Sequence, residues 1–184
     1  MNNMTTPTDV NPVARSLVDR MNSREAVIGV VGMGYVGLPL FLRYLEVGYR
    51  VVGFDVDAGK IDALNRGESY IRHLDGGAMQ RAEEGRFRGT TDFSEIAGVD
   101  AIILCLPTPL NDHREPDLSY VLDSMQAIAP HMHSGQVVSL ESTTFPGTTD
   151  EYLAPVIEKA GHVIGEDVFV VYSPEREDPG NPNF

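Results

Sequence analysis

Apolar residues along this chain fall into short β-branched runs that alternate with amphipathic or polar stretches. The first run, Val27–Val31, is continuous rather than alternating, which suits a strand covered on both faces. Arg50–Asp55, Asp100–Leu106, Gln136–Leu140 and Val168–Tyr172 have the same character, and Arg86–Thr90 is a weaker sixth. Between them, Val13–Met21, the segment after Gly37, Asp57–Arg66 and Leu118–Ala129 place apolar side chains at helical spacing. Leu118, Val121, Leu122, Met125, Ile128 and Ala129 make one stripe, with Asp117 placed as its N-cap. Gly67–Gly85 reads as a loop followed by a short charged helix, and Phe93–Ile96 as a helical turn. Thr148 to Glu151 spells a capping box for a helix that runs to Lys159 and stops at Gly161; Pro155 is expected to bend it or leave a local defect. Strands that alternate with helices predict parallel pairing.

The join after the first strand carries the most specific signal. Gly32-Met33-Gly34-Tyr35-Val36-Gly37 fits G-x-G-x-x-G, lies directly behind a buried strand and opens a helix. The first glycine permits the tight turn, the second lets backbone approach a pyrophosphate, and the third lets helix pack on strand. A side chain at Gly34 would meet that pyrophosphate. Asp55 closes the second strand, 18 residues beyond Gly37. A carboxylate there accepts from ribose hydroxyls and repels a 2′-phosphate, which points to NAD rather than NADP. The predicted fold is a Rossmann-type α/β domain: a doubly wound parallel sheet of about six strands with helices on both faces.

Other candidates follow from position. Lys60 lies one turn past Asp55, within reach of the adenosine end, and the same pattern describes a solvated helix lysine. Pro107-Thr108-Pro109 ends the fourth strand, and Glu141-Ser142-Thr143-Thr144 ends the fifth. Both fall at the carboxyl edge where open parallel sheets bind ligands, so Thr108 is a candidate contact or a plain turn residue. Glu175 follows a proline at the end of the sixth strand, where a surface acid in a charged loop is the competing reading. Cys105 is the chain's single cysteine and sits inside an apolar strand, which makes it packing rather than nucleophile. The five histidines show no metal-ligand spacing.

Composition narrows the partners. With 14 Lys and Arg against 27 Asp and Glu, the net charge is −13, which argues against nucleic acid or an anionic membrane. No apolar run approaches the roughly 18 residues of a membrane span. The first residues, MNNMTTPTDVNPVARS, contain no apolar leader, and with a lone cysteine the expectation is a cytoplasmic protein. Residues 1–23 are assigned to a lead-in with a short helix, and 24–184 to the cofactor domain.

GMGYVGLPL, PTPL at Pro107–Leu110, ESTTFPGTT at Glu141–Thr149 and SPEREDPGN at Ser173–Asn181 resemble the UDP-glucose/GDP-mannose dehydrogenase family. SYIRH at Ser69–His73, HREPDLSYV at His113–Val121 and PERE-PG are most similar to its UDP-N-acetylglucosamine 6-dehydrogenases, which make uronate sugars for bacterial surface polysaccharides. The resemblance implies oxidation of the sugar C6 alcohol to a carboxylate with reduction of two NAD, through a cysteine-bound thioester that water hydrolyses. By motif, it assigns Gly32, Gly34, Tyr35, Val36 and Gly37 to the pyrophosphate and Asp55 with Lys60 to the adenosine ribose. Pro107, Thr108, Ser142 and Thr143 fall to the nicotinamide end, and Thr143 and Glu175 to the catalytic water. A second family glutamate is replaced by Pro179. The nucleophilic cysteine, catalytic lysine and asparagine, dimer-forming linker and sugar-binding domain are expected downstream of this chain, so the fragment alone is expected to be inactive. The whole enzyme is expected to be a homo-oligomer. The same chemistry on UDP-N-acetylmannosamine, UDP-glucose or GDP-mannose, and a stand-alone NAD-binding module without catalysis, are the alternatives.

Overall fold

The structure, a computed structural model, describes residues 11–71, 77–81, 85–110, 114 and 116–174. Its elements are α1 (Pro12–Ser23), β1 (Val27–Val31), α2 (Gly37–Glu46), β2 (Arg50–Phe54), α3 (Ala58–Asn65), α4 (Gly77–Arg81), β3 (Phe87–Thr90), β4 (Ala101–Leu104), α5 (Ser119–Ile128), β5 (Gln136–Leu140), α6 (Ala154–Lys159) and β6 (Val168–Tyr172). A 3-10 turn, Phe93–Gly98, leads into β4. The six strands form one sheet in the order β3-β2-β1-β4-β5-β6, every pair parallel. The order reverses between β1 and β4, which opens a crevice at their carboxyl ends.

The continuous apolar runs of the inner strands β1, β2, β4 and β5 are explained by burial on both faces. Ile28, Val30, Ala101 and Ile103 pack with Leu38, Phe41, Leu42 and Leu45 of α2 and Leu64 of α3. On the opposite face, Ile102, Leu104, Val138 and Leu140 pack with Val121, Met125 and Ile128 of α5 and Ile157 of α6. The apolar stripe of α5 is thus its core face, and burying these side chains is the main source of stability.

Register lines up the strand ends. Val31 pairs with Phe54 and with Leu104, and Leu104 with Leu140. The next residue of each strand, Gly32, Asp55, Cys105 and Glu141, therefore falls along a single edge of the sheet.

Three local expectations are corrected. The fourth strand leaves the ladder at Leu104, because the backbone of Leu106 turns to a side chain: its N–H donates to Ser142 Oγ at 3.0 Å and its carbonyl accepts from the same hydroxyl at 2.7 Å. Thr148 does not cap a helix. Its hydroxyl donates to the Phe145 carbonyl at 2.7 Å, and Thr149–Leu153 forms a wide i→i+5 turn ahead of α6. Pro155 has no N–H to offer the Glu151 carbonyl, so the turn before it widens, the local defect that the proline predicts. Asp117 acts one residue ahead of the cap position, accepting from the Ser119 N–H at 2.9 Å while its own N–H holds the Pro109 carbonyl at 2.7 Å. The hydrogen bond from the Ser119 N–H holds the Asp117 carboxyl below its usual range.

Below the sheet, α1 lies across the amino-terminal strand ends. Arg20 pairs with Asp100 through Nη1–Oδ1 at 2.5 Å and Nη2–Oδ2 at 2.7 Å, and Oδ2 also accepts the Val27 N–H at 2.7 Å. Asn11 caps α1 through its Oδ1 and donates from its amide to the carbonyls of Gly165 and Glu166.

Candidate cofactor site

A cleft of about 780 Å³ runs along the carboxyl edge of the sheet. Gly32, Gly34, Tyr35 and Val36 border its middle, Asp55, Val56 and Lys60 one end, and Pro107, Thr108, Ser142 and Thr143 the other. Ten of the eleven cofactor residues named from the sequence line this cleft; the eleventh, Gly37, is buried beneath the turn, and Val56, not named from the sequence, borders the cleft as well. Glu175, Arg72, His73 and Pro179 lie outside the described residues.

Each glycine has its own physical reason. Gly32 has φ +90°, in the left-handed region, and a Cβ there would stand 2.5 Å from the Cys105 carbonyl oxygen. A Cβ on Gly37 would fall 1.8 Å from the Gly32 carbonyl oxygen, so only glycine lets α2 approach the turn. A Cβ on Gly34 would meet nothing within 4 Å. Gly34 borders open cleft, the space into which a ligand fits.

Asp55 is buried, with 7% of its surface exposed, and its carboxylate accepts three hydrogen bonds within the protein, which leaves acceptor capacity free. Oδ2 accepts from the Met33 N–H at 2.8 Å and from Lys60 Nζ at 3.0 Å, and Oδ1 from the Asp57 N–H at 2.9 Å. One acid therefore ties the glycine turn, the end of β2 and the first turn of α3 together. Lys60 is thereby brought to the site rather than left in solvent. Val56 beside it is 83% exposed, an apolar side chain standing at the mouth of the cleft.

At the far end, Thr108 Oγ1 donates to the Thr143 carbonyl at 2.7 Å. With the two Ser142 hydrogen bonds to Leu106, this staples the loop after β4 to the loop after β5. Cys105 is buried among aliphatic side chains, as its apolar surroundings in sequence predict. Among the described residues no cluster of three or more His, Cys, Asp or Glu is arranged to hold a metal ion.

Sequence reading missed part of the wall. Tyr120, Asp123 and Ser124 of α5 line the cleft, as do Phe54, Phe93 and Glu141. The α5 residues lie off the apolar stripe, which was the available signal. Phe54 and Phe93 stack with centroids 6.0 Å apart. Glu141 accepts from Ser139 Oγ at 2.5 Å. A cleft of about 780 Å³ over the switch point, a glycine turn at a helix start and a buried acid beside it fit an adenine dinucleotide.

Residues 26–184 match the UDP-glucose/GDP-mannose dehydrogenase family, NAD binding domain. This chain belongs to that family. Its cofactor is NAD. The UDP-N-acetyl-D-glucosamine 6-dehydrogenase of Pseudomonas aeruginosa is 37% identical over 159 residues, covering 86% of this chain and 37% of that protein. The UDP-N-acetyl-D-mannosamine dehydrogenase of Escherichia coli K12 is 35% identical over 164 residues, covering 84% and 38%. Among solved structures, the UDP-N-acetyl-mannosamine dehydrogenase of Staphylococcus aureus superposes with a TM-score of 0.77 at 34% identity, covering 84% of this chain and 37% of that one. The chain thus spans little more than a third of these relatives. Among the described residues no helix is long and apolar enough to cross a membrane.

Proposed function

We propose that this domain is the cofactor half of an NAD-dependent 6-dehydrogenase whose substrate is UDP-N-acetylglucosamine. The observation that carries the cofactor part is Asp55, buried at the end of β2 and joined to both the glycine turn and Lys60. Bound NAD supplies a hydride acceptor. Backbone around Gly32, Gly34, Tyr35 and Val36 holds the pyrophosphate, and Gly37 lets the helix start come close enough to face it. Asp55 and Lys60 hold the adenosine ribose, and the acid excludes a 2′-phosphate. Pro107, Thr108, Ser142 and Thr143 position the nicotinamide end, where the stapled loops keep the wall rigid. Thr143 and Glu175 are assigned to ordering the water that ends the reaction, with Glu175 assisting proton transfer.

The sugar is read from similarity. SYIRH and PERE-PG favour UDP-N-acetylglucosamine, in line with the 37% identity to such an enzyme. UDP-N-acetylmannosamine is the second reading, favoured by the 35% identity to the E. coli enzyme. The sugar pocket and the cysteine nucleophile are assigned to a further domain of the kind that the relatives' additional length provides. Calorimetric titration of this chain with NAD, NADP and UDP-N-acetylglucosamine in parallel tests the division of labour. Binding of NAD alone is expected. Tight binding of the sugar nucleotide would overturn the assignment of its site to another domain, and no binding of NAD would overturn the reading of the cleft as sufficient by itself. In an enzyme carrying this domain, faster turnover of UDP-N-acetylmannosamine than of UDP-N-acetylglucosamine would overturn the choice of sugar.

A further inference from the structure

Tyr70 lies in the loop after α3 and is absent from the cleft wall, yet its phenol donates a 2.6 Å hydrogen bond to the Met33 carbonyl, in the middle of the glycine turn. Met33 is wholly buried. Two consecutive peptide groups of the turn are consequently held from outside. The Gly32–Met33 peptide is held by its N–H, which donates to Asp55 at 2.8 Å. Its carbonyl faces the space that a Gly37 side chain would need. The Met33–Gly34 peptide is held by its carbonyl, through Tyr70. A trans peptide is planar with its C=O and N–H opposed, so fixing that carbonyl fixes the direction of the Gly34 N–H, away from Tyr70. Gly34 borders the cleft; Tyr70 does not.

We propose that Tyr70 is a positioning residue for the cofactor: its hydrogen bond to the Met33 carbonyl sets the Gly34 N–H in the orientation that a dinucleotide pyrophosphate requires. Burial first, and then the nearby carboxylates of Asp55 and Asp57, push the phenol above its ordinary range, so it stays a donor at any physiological pH. Tyr70 is itself anchored. The Ser69 hydroxyl donates to the Ile71 carbonyl at 3.2 Å and accepts the Ile71 N–H at 3.3 Å, closing a tight turn around it. Asp55 and Tyr70 thus act on adjacent peptides from two different loops, and the turn is preorganised before any ligand arrives. Preorganised donors bind an anion without the cost of ordering them at the moment of binding.

This inference rests on the NAD reading of the cleft, and the test separates the two. Tyr70→Phe removes one oxygen and keeps the ring. The wild-type and Y70F chains, labelled with 15N-glycine, are compared by backbone relaxation without ligand, by titration with NAD and with adenosine, and by calorimetric melting. Expected in Y70F are a melting temperature close to wild type and a Gly34 order parameter that falls from the rigid range near about 0.85 toward about 0.6. NAD should bind about tenfold more weakly, with adenosine affinity unchanged. A Gly34 N–H as rigid as in wild type, or an unchanged Kd for NAD, overturns the role. An equal loss for adenosine and NAD overturns it as well, since that marks collapse of the whole cleft. A wild-type chain that binds no NAD overturns the cofactor reading, while relaxation of Gly34 still decides whether Tyr70 orders the turn; a Gly34 N–H unaffected by the substitution sinks the proposal in that case too.

Discussion

Gly34→Ala separates fold from cofactor binding at a single methyl group. A Cβ at Gly34 has no neighbour within 4 Å, and Gly34 is not among the glycines with positive φ. Alanine therefore costs nothing sterically in the free protein. By restricting the unfolded chain it should add about 0.4–1 kcal/mol of stability, or up to about 4 °C in melting temperature for a domain of this size. Bound NAD changes the balance. A phosphate oxygen accepting from backbone N–H sits about 2.9 Å from nitrogen, which leaves no layer of space for a methyl. Losing even two such charge-assisted hydrogen bonds, at about 1.5 kcal/mol each, weakens binding by about a hundredfold or more. Gly37→Ala is the counterpart. Its Cβ would stand 1.8 Å from the Gly32 carbonyl oxygen, a backbone atom that cannot swing aside. The helix start must move, and this variant should lose both stability and NAD. Calorimetric melting and NAD titration of the two variants decide the matter. Retention of NAD affinity within threefold in G34A would refute the claim that this space receives the pyrophosphate, and a melting temperature far below wild type would refute the claim that it is open.

Asp55→Ala should weaken NAD by at least about tenfold, as charged hydrogen bonds to the ribose are lost, and should narrow the preference over NADP; an unchanged ratio in parallel titrations would mean that the ribose is read elsewhere. Arg20→Ala leaves the buried Asp100 with the Val27 N–H but no cation. Because the Arg20 side chain is 43% exposed, the full penalty of a broken buried pair is screened, and a cost of about 1–3 kcal/mol is expected. A melting temperature equal to wild type would show that α1 is not held by this pair. Asp167 accepts from His162 Nδ1 at 2.8 Å and from the Val163 N–H at 2.6 Å, and these bonds, the one from His162 first, hold its carboxyl below the ordinary value. A depressed folded-state value means that the contribution is present above the unfolded value of about 3.9 and is lost as pH falls through the depressed one. Asp167→Asn should therefore flatten the acid limb of the melting curve below about pH 4, and an identical limb would remove Asp167 from the account.

What the sequence revealed and what it hid divide along a physical line. Inner strands buried on both faces announce themselves as continuous apolar runs, so Gln136–Leu140 is found to the residue; the edge strand Val168–Tyr172 is found too because its run is equally apolar, although Val171 and Tyr172 are exposed. The glycines and Asp55 are legible because backbone geometry and the ligand's chemistry tolerate few alternatives at those positions. The ends of elements obey other constraints. Leu106 and Thr148 satisfy their polar groups with partners brought by the fold, Ser142 across 36 residues and Phe145 within the same loop, and local pattern carries no trace of the first. Tyr70 is the sharpest case. An aromatic residue in a polar loop has no periodicity to mark it, and only the packing of that loop under the glycine turn, 37 residues away in sequence, gives it a partner. Resemblance picked out its motif as a label for the sugar, whereas the geometry ties it to the cofactor turn. If both hold, the loop that distinguishes one sugar enzyme from another also braces the dinucleotide. On the proposed reading, substitution there is then expected to alter NAD affinity and sugar preference together in an enzyme that carries this domain.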